Sequence, residues 1–279
     1  MTHYSLLVGS SGGGLPATSF VELTSGSSTF SVPDGYNAIH IQYAVGGGGG
    51  AAGGVSYDKA GGESAGAGGG SGAYISDKVF TVTEGETISY SIGGGGAPGN
   101  QTANFGQPKI GSAGTNTTLS GSTTGSIFTL GAGGGASGTG GGVQGPLRTN
   151  TAGTAGSATI SGSAVTSGIF VDSDNSVKNV TSNTSGPVGS FNQSGNGDVG
   201  ANNGNCGGDN CQIAGSNGAD SYAGNISGGN GVGIGGPAAS AGTRGSGGGG
   251  GGAQNVGSTG ETAFAGGAGE ISYRFLQVI

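Results

Sequence analysis

Residues 43–54 read YAVGGGGGAAGG. A strand-like apolar run ends in five consecutive glycines and two alanines, residues with almost nothing to pack. Glycine loses more backbone entropy on ordering than any other residue, so a run of this kind after a core strand needs a physical reason. The same device recurs at SIGGGGAPG (91–99) and at GSGGGGGG (245–252). Of 279 residues, 74 are glycine, about four times the ordinary share.

Composition this biased is a mark of disorder. Two features oppose that reading. Hydrophobic residues still make up 32% and cluster in strand-like runs, and charged residues, at 8%, are too sparse to hold a chain open by self-repulsion. The formal net charge of −7 and the lack of a basic patch exclude phosphate neutralisation, so no nucleic-acid partner is expected. No stretch approaches the roughly 20 apolar residues that span a bilayer, and no membrane insertion is expected. The first residues, MTHYSLLVGSSGGG, carry no basic region and only a short apolar run, so no secretory signal is expected. The Asn-X-Ser/Thr triplets follow from the abundance of those residues.

Outward from the opening stretch, the N-terminal half reads as short strands. YSLLV (4–8), SFVEL (19–23) and STFSV (28–32) are candidates, and PDG (33–35) is a turn in which glycine takes positive φ. NAIHIQYAV (37–45) alternates, which predicts Ile39, Ile41, Tyr43 and Val45 on one face and His40, Gln42 and Ala44 on the other. His40 thus reads as a strand residue on the less buried face rather than a catalytic base. AYISDKVFTV (73–82), the turn TEGE (83–86), TISYSI (87–92) and SIFTL (126–130) follow, and EISYRFLQVI (270–279) is a strong final strand expected to return to the N-terminal sheet. No apolar pattern of period 3.6 supports an α-helix.

Between residues 131 and 268 strands thin out, leaving ATISGSAV (158–165) and GIFVDS (168–173). Glycines there often recur every third residue, as at Gly242, Gly245, Gly248 and Gly251, before the register slips. Three residues per turn is the period of an extended left-handed helix. Packed side by side, such helices pair their backbone groups with one another, which accounts for buried N–H and C=O groups without a sheet. This is the polyglycine II arrangement. The expected fold is all-β: antiparallel, sandwich-like strands combined with polyglycine II-type helices and long loops. The expected organisation is a β-rich domain over 1–130, completed by 270–279, and a glycine-rich loop and polyglycine II region over 131–269.

Chemistry-bearing motifs are scarce. G-x-G-x-x-G occurs too often to carry meaning and lacks a following helix, and no glycine precedes a lysine, so there is no P-loop. VDSDNS (171–176) has calcium-like spacing but lacks the sixth-position glycine and the closing glutamate, and reads as a solvated turn. Cys206 and Cys211 are too few for a metal centre. A local disulfide and two free thiols both remain open for them. No enzyme, cofactor or metal site is expected.

STFSVPDGYNAIHIQYAVGGGGGAAGG (28–54) and GAGGGSGAYISDKVFTVTEGETISYSIGGGGAPG (66–99) resemble glycine-rich phage tail proteins, in which an aromatic strand, a turn, an alternating strand and a glycine burst repeat. Glu84 stands where that pattern often has proline, and GGAGEISYRF (266–275) resembles its closing burst and strand. The middle is similar to receptor-binding tail-tip adhesins with polyglycine II regions. The resemblance implies a virion protein of a tail fibre or tail tip, assembled in the host cytoplasm. Its implied partners are other tail proteins and a host surface polysaccharide or outer-membrane protein, with homo-oligomerisation left open. Candidate receptor-binding residues lie in 191–225: Phe191 and Tyr222 to stack, and Asn192, Asn202, Asn203, Asn205 and Asn210 to hydrogen-bond. A tail or capsid decoration protein that binds no receptor is the competing reading. Ice binding would require a strict Gly-X-X repeat, which the register slips oppose.

Overall fold

The computed structural model describes residues 14–52, 67–99, 110–138, 150–180, 212–213, 218–219, 241–246, 253–254 and 263–279. These are all-β and contain no helix. One sheet has four antiparallel strands in the order β1 (Val21–Leu23), β15 (Glu270–Leu276), β3 (Ala38–Val45), β4 (Tyr74–Thr81). A second has five in the order β10 (Ala158–Ile160), β7 (Gly125–Leu130), β6 (Thr117–Gly121), β5 (Thr87–Ser91), β2 (Ser27–Ser31). The final strand does return, lying between β1 and β3. The hairpin β11 (Ile169–Val171)–β12 (Val177–Asn179) and the two-residue pairs β8 (Ser137–Gly138)–β9 (Asn150–Thr151) and β13 (Gln212–Ile213)–β14 (Ala253–Gln254) complete the described strands. The expected strand at 4–8 lies outside the described residues.

The two main sheets face each other across one apolar core. Ile39, Ile75, Phe80 and Ile271 enter from the first sheet and Ile88, Leu119, Phe128 and Leu130 from the second. Phe30 of β2 stacks on Tyr273 of β15 with ring centroids 4.6 Å apart. The turns at 33–36 and 83–86 are built alike: Tyr36 N–H donates to Pro33 O, Glu86 N–H donates to Thr83 O, and Gly35 and Gly85 supply the positive φ at the third position.

The alternation expected for residues 37–45 holds only as far as Ile41. Gln42 is an extra residue on β3: Tyr273 pairs with Ile41, but Ser272 pairs with Tyr43. A bulge of this kind reverses the faces beyond it. Ala44 therefore joins Ile39 and Ile41 in the core, while the half-buried Tyr43 turns to Glu22 and Glu270. Asp77, with φ 51°, lies across from Gln42 on β4 and reverses that strand too, so that Ile75 and Phe80, five positions apart, share the core.

Past β3 the glycine run becomes the axis of a bundle. Gly46, Gly49 and Ala52 donate to Ala73, Gly70 and Ala67; Gly47 and Gly50 donate to Thr115 and Ser112; Gly48 and Ala51 donate to Gly267 and Phe264. The donor therefore changes neighbour at each residue and returns after three, with N···O distances of 2.8 to 3.2 Å. Acceptors follow the same period: Gly47 and Gly50 receive Gly133 and Ala136, and Gly48 and Ala51 receive Gly96 and Gly99. The neighbours also bond to one another in a closed ring. In ring order, 67–73, 131–136, 110–115, 93–99, 263–269 and the segment 241–246 are joined by Gly70→Gly134, Gly114→Gly133, Thr115→Gly94, Gly266→Gly96, Gly267→Ser246 and Gly72→Gly245. Residues 151–157 add an outer segment through Gly134→Thr154 and Gly156→Ser71.

A rod enclosed on every side has no direction left for a side chain. A Cβ on Gly48, Gly49 or Gly50 would fall deep inside the contact distance of the carbonyl oxygens of Ser246, Gly134 or Ala97. On the rim the constraint relaxes only at single positions: a Cβ on Gly94 would meet only Thr115 Oγ1, at 3.7 Å, whereas Gly95 and Gly96 beside it are blocked by the carbonyl oxygens of Gly266 and Ser112. The triplet spacing expected at 242–251 is not a rod at its start. Gly245 has φ +75° in a turn in which Ser246 N–H donates to Thr243 O, and Ser246 is fully buried. Gly248 and Gly251 lie outside the described residues.

Gly49→Ala should therefore lower unfolding free energy by about 3 kcal/mol or more, because backbone rather than a mobile side chain blocks the new methyl, whereas Gly94→Ala should change it by less than about 1 kcal/mol. Urea denaturation of the two variants measures both. Equal tolerance would contradict the enclosed rod.

Candidate functional site

The sequence-derived recognition residues Phe191, Asn192, Asn202, Asn203, Asn205, Asn210 and Tyr222, and the cysteines Cys206 and Cys211, all lie outside the described residues. The described polar residues gather elsewhere, on the outer face of the four-stranded sheet. Alternation along β15 sends Ile271, Tyr273 and Phe275 into the core and Arg274 to the opposite face. There the segment 14–20 and the β11–β12 hairpin cover it: Ala17 N–H donates to Val171 O, and Thr18 N–H donates to Phe275 O. Ala38, Val79, Phe170 and Leu276 form a small apolar cluster beneath this cover.

Arg274 stands at the centre. Its Nη1 donates to Asp172 Oδ1 at 2.6 Å, its Nε donates to His40 Nδ1 at 3.2 Å, and its guanidinium carbon lies 4.5 Å from the Phe20 ring centroid and 5.6 Å from that of Phe170. Asp172 also receives Lys178 and Ser173 N–H. The Arg274 and Asp172 side chains are each only 10% exposed, so both charges are compensated away from bulk water. Lys178 above all, with Arg274 and the Ser173 amide, holds the Asp172 carboxyl well below the usual carboxylate range against the opposing effect of burial. VDSDNS is thus a hairpin turn whose first aspartate is buried and engaged, while Asp174 receives Ser176 N–H at its exposed end. Among the described residues no group of three or more His, Cys, Asp or Glu side chains could hold a metal ion.

His40 has no nitrogen left for catalysis. Arginine only donates, so Nδ1 is the acceptor and the ring proton sits on Nε2, which donates to Asp77 Oδ1 at 2.8 Å. Burial lowers the His40 pKa below 6.5; the Asp77 hydrogen bond opposes this and the Arg274 charge adds to it. The Arg274–Asp172 pair, with Lys178, pins the β11–β12 hairpin to the sheet.

Glu86 forms a second centre. It receives Thr83 N–H at 2.7 Å and Thr123 and Thr124 N–H at 3.0 Å, tying the 83–86 turn to the 122–124 turn. Burial alone would raise its pKa, but the hydrogen bonds from Thr124, Thr83 and Thr123 outweigh that and lower it. Neither Arg274 nor Glu86 stood out in the sequence as a structural centre. The available signals were an arginine on the outward phase of an apolar strand and a second carboxylate closing a turn.

The geometry defines a class: an all-β sandwich whose strands run on into a glycine bundle held by backbone hydrogen bonds. Residues 23–276 match the family described as glycine-rich domain, and the chain belongs to that family. No curated protein matches the chain.

Asp172→Asn should cost about 3 kcal/mol or more, since it leaves Arg274 buried and undercompensated. The pH dependence has a definite sign. Because the His40 pKa is lower folded than unfolded, the unfolded chain binds more protons, and stability should fall as pH drops from about 6.5 through the folded value. Unfolding free energies measured between pH 7.5 and 5 should show this decline, and His40→Gln should remove that part of it.

Proposed function

We propose that the chain is a virion structural protein of a phage tail fibre or tail tip that binds the host cell surface and catalyses no reaction. The observation that carries this reading is the enclosed rod at 46–52. A scaffold whose neighbours are joined through backbone groups spends few large side chains on its own stability. Sequence elsewhere in the chain can then vary under selection for recognition, as binding loops do on a rigid support. The motifs at 28–54, 66–99 and 266–275 and the family membership are consistent with it.

Recognition is assigned to the Asn-rich stretch 191–225, with Phe191 and Tyr222 stacking on, and the asparagines hydrogen-bonding to, a surface polysaccharide or an outer-membrane protein loop. The competing reading is a tail or capsid decoration protein, which would use the same scaffold to bind other virion subunits.

Phe191→Ala and Tyr222→Ala, singly and together, should reduce adsorption of particles to cells while leaving particle yield unchanged. Unchanged adsorption after replacement of the whole 191–225 segment, with normal yield, would favour the decoration reading.

A further inference from the structure

The outer edge of β2 carries an inference independent of where the protein sits in a particle. β2 is the outermost strand of the five-stranded sheet and pairs only with β5 among the described residues. Just beyond its two ends, Val32 N–H donates to Glu86 O and Ile92 N–H donates to Gly26 O. Antiparallel pairing alternates inward and outward groups. With Gly26 and Val32 bonded inward, Ser28 and Phe30 share their phase, and the N–H and C=O groups of Ser27, Thr29 and Ser31 face away from the sheet.

Other edges are covered or short. The outer edge of β4 is occupied by residues 163–165, through Thr81 N–H to Ser163 O and Val165 N–H to Val79 O, both at 2.9 Å. β1 and β10 have three residues each, and β1 carries Glu22. β2 has five residues, SSTFS, with no charge, no proline and no break in its register with β5. Ser27, Ser28, Thr29 and Ser31 are all exposed. Natural edge strands are ordinarily protected by the features this one lacks.

We infer that β2 is an association edge and that its partner is β2 of a second copy of this chain, paired antiparallel about a two-fold axis through Thr29. The strand is complementary to itself. In that register Thr29 faces Thr29 and Ser27 faces Ser31, so the outward positions pair hydroxyl with hydroxyl, a favourable cross-strand combination. Two chains of net charge −7 would thereby meet along a strand that carries no charged side chain. The contact joins the two five-stranded sheets edge to edge. A five-residue edge is small, which sets the expected dissociation constant on the order of 100 μM.

Sedimentation equilibrium of the full chain from micromolar to millimolar concentration tests this. The wild-type chain should form dimers. Thr29→Pro deletes only an outward N–H, a position where an edge strand tolerates proline, and Thr29→Lys adds like charges at the two-fold axis. Each should raise the dissociation constant at least about tenfold. Thr29→Lys should keep the wild-type melting temperature, and it decides the matter if the proline variant fails to fold. A wild-type chain that is monomeric throughout the range, or a dimer equally tight in Thr29→Lys, would overturn the inference.

Discussion

The structure depends on backbone hydrogen bonds made in several directions at once. In a sheet each strand serves two neighbours. Residues 46–52 serve more, because their donors and acceptors turn to a new segment at every residue. Such packing satisfies buried peptide groups without side-chain partners, but only if no side chain keeps the backbones apart. The cost of ordering glycine is then offset by contacts that no other residue permits. The five consecutive glycines at 46–50 leave the innermost rod without a side chain on any side, while rim segments such as IGSAGT (110–115) place glycine where they meet the rod and carry side chains at other positions.

The sandwich and the bundle are one construction. β3 runs directly into the central rod, β15 emerges from the rim segment 263–269, and β4 and β5 continue from and into the segments 67–73 and 93–99. Strand register thus fixes the position of each rod, and the apolar core supplies the side-chain burial that the bundle lacks. Charge is used sparingly. The Arg274–Asp172 pair ties the β11–β12 hairpin to one face, and Glu86 ties two turns together at the 83–86 end.

Much of the fold was legible in the sequence. The final strand, the turns at Gly35 and Gly85 and the lack of helix among the described residues followed from patterning and turn chemistry. The bulge at Gln42 did not, because local alternation continues through Tyr43 and Val45 and only pairing with β15 reveals the extra residue. β6 and β12 were missed for a related reason. TTLSG has one large apolar residue, Leu119, and VKN has one, Val177, so neither shows an alternation, and each is held as a strand by its partners. The charged network was illegible because Asp172 and Arg274 are 102 residues apart in the chain. The every-third glycine spacing was read at several places between 131 and 269; at 242–246 the chain forms a turn instead, whereas the consecutive glycines at 46–50 lie in the enclosed rod.

Native-state hydrogen exchange of individual glycine amides tests the enclosed rod most directly. The amides of Gly46 to Gly50 should exchange only on global unfolding, with protection equal to that of the central strand residues Ile41 and Tyr273. Exchange of those glycines at rates typical of an open chain, while Ile41 and Tyr273 stay protected, would contradict the account.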